Sequence, residues 1–136
     1  MTGGGTPLVL VADDEEDIRA LVAFRLQRAG YDVITAADGA EALTLATTRL
    51  PDLVVLDMMM PKATGLEVTR SLRSDDATKE IPVILLTARA QEADVAHGFE
   101  AGVDDYIKKP FSPQDLQLRV QALLDRRSAA SIPSAG

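Results

Sequence analysis

The chain has 136 residues, 46 % of them apolar and 26 % charged, with a formal net charge of -7, enough for one domain with an apolar core of its own. It contains no cysteine, which excludes disulfides and thiolate metal sites, and no apolar run approaches the roughly 18–20 residues that cross a bilayer. The N-terminus lacks the basic and apolar stretches of a signal peptide, and the negative charge works against phosphate backbones, so the chain is expected to be cytoplasmic, with no membrane contact and no direct nucleic-acid contact.

In chain order, five short apolar runs alternate with segments of helical periodicity. Leu8-Val9-Leu10-Val11-Ala12 is the first run, and Asp13-Asp14-Glu15-Glu16-Asp17 follows it as a run of five acids. A first helix then carries Ile18, Leu21, Val22, Leu26 and Ala29 at three- and four-residue steps until Gly30 stops it. Val33-Ile34-Thr35 is the second run. Asp38 is an N-cap with Glu41 three residues on, opening a helix whose inward stripe includes Leu43 and Ala46. Leu53-Val54-Val55-Leu56 leads into Asp57, and Gly65 to Arg73 gives a third helix with Leu66, Val68 and Leu72. Val83-Ile84-Leu85-Leu86 is the fourth run, followed by a helix from about Gln91 to Ala101 that Gly98 weakens. Tyr106-Ile107 is the fifth. In the last helix Ser112 caps, Pro113 takes the first position, and Leu116, Val120, Leu123 and Leu124 face inward.

Three of the runs are continuously apolar, the pattern of strands buried on both faces of a parallel sheet. Strands joined by crossover helices are parallel with right-handed connections. The expectation is therefore a (βα)5 doubly wound α/β sandwich over 7–127, with a loose N-terminus over 1–6. The small, polar tail at 128–136 reads as a linker or frayed end, which favours a domain cut from a longer protein over a free-standing one.

The polar residues at the ends of these runs carry the chemistry. Asp13-Asp14 come directly after the first, Asp57 after the third, Thr87 after the fourth and Lys108-Lys109 after the fifth. In an open parallel sheet these C-terminal ends share one edge, where such folds bind ligands. Three carboxylates meeting there repel one another unless a cation neutralises them, and hard oxygen ligands suit Mg²⁺. Carboxylate, hydroxyl and ammonium beside such an ion match the needs of phosphoryl transfer.

Asp13-Asp14, Asp57-Met58-Met59-Met60-Pro61, Thr87-Ala88 and Lys109-Pro110-Phe111 together resemble the receiver domains of two-component response regulators, across about residues 8 to 127. The resemblance implies a flavodoxin-like, CheY-like sheet of order 2-1-3-4-5. It implies Asp57 as phosphoacceptor, and Mg²⁺ or Mn²⁺ on Asp14, Asp57 and the Met59 carbonyl, with Asp13 acting through water. Lys109 and Thr87 would contact the phosphoryl group, Lys109-Pro110 would be cis, and Thr87 with Tyr106 would form a switch. Met59 and Arg89 stand where the family tunes phosphoryl lifetime. Methionine cannot orient an attacking water, so a long lifetime is implied. Partners would be a histidine kinase or histidine phosphotransfer protein, docking beside the first helix and the Pro110-Phe111-Ser112 loop.

Residues Val103 to Pro113 look most like the winged-helix transcriptional regulators, whose receivers dimerise through helix 4, strand 5 and helix 5. Asp104, Asp105, Asp115 and Arg119 fit that pattern, whereas Val95 and His97 replace expected basic residues. Two rivals lose on single features. A haloacid-dehalogenase-type phosphatase needs a second aspartate where Met59 stands, and a flavin binder needs a hydroxyl-rich loop where the five acids stand. A P-loop lacks its glycines and its Gly-Lys-Ser/Thr.

Overall fold

The computed structural model describes residues 5–88 and 101–131, with side chains as far as Arg127. Five strands, β1 (Leu8–Ala12), β2 (Asp32–Ala36), β3 (Leu53–Asp57), β4 (Val83–Thr87) and β5 (Asp105–Lys108), form one sheet in the order β2-β1-β3-β4-β5. Every neighbouring pair is parallel. Among the described residues four helices accompany it: α1 (Glu16–Arg28), α2 (Gly39–Arg49), α3 (Gly65–Arg73) and α4 (Pro113–Ser131). The helix expected from Gln91 lies outside the described residues except for Ala101.

The sandwich follows from strand alternation. Side chains of successive strand residues point to opposite faces, so a continuously apolar strand supplies two cores. Leu10, Ala12, Val54, Leu56 and Leu85 pack with Ala42, Ala46, Val68 and Leu72 on the α2 and α3 side. Val9, Val11, Val55, Ile84 and Leu86 pack with Val22, Leu26, Leu116 and Val120 on the α1 and α4 side. Asp38 accepts from the Glu41 amide at 2.8 Å, as its spacing predicts, and Ser112 Oγ accepts from the Asp115 amide at 3.3 Å.

Two local expectations need correction. On α1 only Val22 and Leu26 are buried, while Leu21 is 50 % exposed and Ala29 is exposed; the helix lies on the sheet along a stripe narrower than its apolar residues. Met60 is buried in the core on the α2 and α3 side. Helix α4 continues through Ser131, because Ser128-Ala129-Ala130-Ser131 contains no breaker and the next proline is Pro133.

Candidate functional site

The register aligns the strand ends. Ala12 lies opposite Leu56, Asp57 opposite Leu86, and Thr87 opposite Lys108. The ladders continue one step further, with the Asp13 amide donating to Ala36 O at 3.1 Å and the Lys109 amide to Thr87 O at 2.8 Å. Counting in twos, Asp13, Asp57 and Lys109 follow the inward residues of the α1 and α4 side. Thr87 follows Val83 and Leu85, on the side where Tyr106 packs.

Asp13, Asp14 and Asp57 each offer a carboxylate oxygen within 4.8 Å of the others. Asp13 is fully buried and Asp57 nearly so, whereas Asp14 is exposed. The Lys109 ammonium stands 3.1 Å from Asp13 Oδ2, 3.4 Å from Asp57 Oδ1 and 3.3 Å from Glu15 Oε1. Burial pushes the Asp57 carboxyl up to about 6, the Asp13 charge acts in the same direction, and Lys109 pulls back against both. Burial works against the charge on Lys109, but its hydrogen bond to Asp13 and the fields of Asp57 and Asp13 outweigh that and raise its pKa.

Several backbone devices hold the cluster. The Asp57–Met58 segment is fixed by the Met58 amide donating to Leu86 O at 2.8 Å and by Met58 O accepting from the Gly65 amide at 2.9 Å. Gly65 is required at that junction: a Cβ there would lie 2.7 Å from Asp57 O and 2.5 Å from Leu85 Cδ1. Thr64 and Glu67 form a reciprocal capping box on α3. The Lys109–Pro110 peptide is cis. Thr87 is 3 % exposed at the end of β4, and Met59 projects into solvent, 71 % exposed. Arg89, Val95 and His97 lie outside the described residues.

Sequence reasoning missed two participants. Glu15 reaches Lys109, and the Arg19 guanidinium donates to Asp13 O at 2.8 Å. The acid run flags Glu15 without saying which acid turns toward the lysine; Arg19, in the first turn of α1, reaches back to the residue that follows β1. The acids expected at a dimer face are engaged within the chain. Arg119 bridges Asp105 at 2.9 Å and Asp115 at 3.1 Å, and Asp104 accepts from Arg73 at 2.9 Å.

The donor set suits a hard divalent ion. Asp13, Asp14 and Asp57 bring three carboxylates together, Lys109 pairs with two of them, and the Asp57 carboxyl, raised first by burial and then by the Asp13 charge, is one whose charged form a cation would favour. A doubly wound sheet with three acids and a lysine at its carboxyl edge defines the class: residues 9–121 match the response regulator receiver domain model, and the chain belongs to that family.

Among curated proteins, the chain is 51 % identical over 126 residues to the alkaline phosphatase synthesis transcriptional regulatory protein PhoP of Bacillus subtilis (strain 168), covering 93 % of this chain and 51 % of that protein. Among solved structures it is similar to the Francisella response regulator 1452 receiver domain, with TM-score 0.84, 38 % identity and coverage of 90 % and 99 %. It is also similar to the chemotaxis response regulator CheY4 of Vibrio cholerae, with TM-score 0.83, 35 % identity and coverage of 88 % and 99 %. The chain spans about half the length of the curated relatives it matches, and those are transcriptional regulators by name, in line with the subfamily resemblance of residues 103–113.

Proposed function

We propose that Asp57 accepts a phosphoryl group from a histidine kinase or histidine phosphotransfer protein, in a reaction that depends on Mg²⁺ or Mn²⁺ held by Asp13, Asp14, Asp57 and the Met59 carbonyl. The observation that carries this reading is the convergence of three carboxylates within 4.8 Å, with Lys109 3.4 Å from Asp57. The divalent ion, when bound, supplies positive charge to the phosphoryl oxygens. Asp57 Oδ attacks phosphorus in line, the P–N bond of the phosphohistidine breaks, and its electron pair returns to the imidazole nitrogen as the new P–O bond forms. Lys109 pairs with the phosphoryl oxygens and the Thr87 hydroxyl donates to one of them. The chain catalyses only its own phosphorylation and dephosphorylation.

Thr87 and Tyr106 share one side of the sheet, which supports their acting as a switch pair that biases two pre-existing arrangements of the face made by the helix expected from Gln91, β5 and the last helix, α4. A homodimer through that face would have to work with the intrachain Arg119 bridges. The test is labelling by a small acyl phosphate with Mg²⁺: wild type takes one phosphoryl group and Asp57→Ala takes none, while labelling retained elsewhere in the variant overturns the assignment.

A further inference from the structure

Lys109 is shared among three carboxylates, and they are not equivalent. Asp13 is fixed at every polar atom: its amide donates to Ala36 O, its carbonyl accepts from Arg19, Oδ1 accepts from the Glu15 amide at 2.9 Å, and Oδ2 holds Lys109. Asp57 is buried at the end of β3. Glu15 stands apart, with its side chain 60 % exposed against 14 % for Lys109. A carboxylate in solvent, on a side chain with three rotatable bonds, is the partner that gives way most easily. Its Oε1 lies 3.3 Å from the ammonium, and it is the one solvent-exposed carboxylate of the three, Asp13 and Asp57 being buried.

We propose that Glu15 is a positioning residue that holds Lys109 at the mouth of the site before phosphorylation and is displaced by the incoming phosphoryl group. The inference rests on the phosphoacceptor reading above and adds a form of regulation to the same site. While Glu15 is engaged, the lysine is anchored beside Asp57 and its charge is partly screened from the donor. Transfer requires an exchange of partners: the phosphoryl oxygens take the ammonium and Glu15 swings into water. The exchange sets part of the barrier, so weakening Glu15 accelerates labelling.

The experiment compares wild type, Glu15→Gln and Glu16→Gln with a small acyl phosphate as donor, and titrates each protein with Mg²⁺. Both variants remove one negative charge from the same acid run, but no described contact joins Glu16 to Lys109. The expected result is labelling roughly two- to fivefold faster in Glu15→Gln, the scale of one exposed ion pair, a near-wild-type rate in Glu16→Gln, and similar Mg²⁺ affinity in all three. Equal acceleration in both variants would reduce Glu15 to a share of the general field and overturn the proposal. So would a loss of Mg²⁺ affinity confined to Glu15→Gln, which would make Glu15 a metal ligand. Wild type labelled on Asp57 with Glu15→Gln unchanged defeats this inference alone; wild type that takes no label defeats the phosphoacceptor reading, and this one with it.

Discussion

At Asp57 the fold holds a carboxyl where its charge is costly. Its pKa stands at about 6 against an ordinary 3.8, first through burial and then through the charge of Asp13. In that window the folded chain keeps a proton the unfolded chain has lost, so folding stability falls as pH rises through it. Asp57→Asn removes the titration. In metal-free protein, wild type is expected to lose about 1–3 kcal/mol relative to Asp57→Asn between roughly pH 4 and roughly pH 7, measured by urea unfolding. Parallel curves for the two proteins would refute it. The residues of this site were legible because each comes after an apolar run, and parity along the strands separates Asp13, Asp57 and Lys109 from Thr87 and Tyr106. The Glu15 contact was not legible, because Glu15 sits in extended backbone just before α1, where no periodicity says which acid of a run of five turns toward the lysine.

Among the elements, strands announced themselves by continuous apolar runs and helices by caps, but two ends did not. The tail carried the small polar residues of a linker, yet alanines extend α4 to Ser131. The edge of the sheet at the start of β4 and β5 is closed by a side chain that no periodicity reveals. Arg73, from the last turn of α3, donates to Ile81 O at 2.7 Å, Lys79 O at 3.1 Å, Gly102 O at 2.8 Å and Asp104 Oδ2 at 2.9 Å. Asp104 Oδ2 also accepts from the Val83 amide at 2.8 Å. Gly102, with φ of 100°, leaves room for the arginine, since a Cβ there would lie 2.8 Å from Arg73 Cγ. Arg73→Ala strands several of these carbonyls and is expected to cost about 1–3 kcal/mol in chemical denaturation. Replacement at Arg70, exposed on the same helix, should stay within about 0.5 kcal/mol. Equal effects would mean that the clasp contributes nothing.

Across the whole molecule, a net charge of -7 and a cluster of acids at one rim favour the divalent ion that the proposed function calls for. Anything that binds only the folded state stabilises it by mass action, so Mg²⁺ should raise the unfolding midpoint of wild type and do so much less in Asp14→Asn. The most direct measurement is the intact mass of wild type and Asp14→Asn after exposure to a small acyl phosphate, with Mg²⁺ and with a chelator. One phosphoryl group on wild type in Mg²⁺, none in chelator, and a strongly reduced fraction on Asp14→Asn is the predicted result. Labelling of wild type that is as complete in chelator as in Mg²⁺ would contradict a site in which the acids share a metal to move a phosphoryl group.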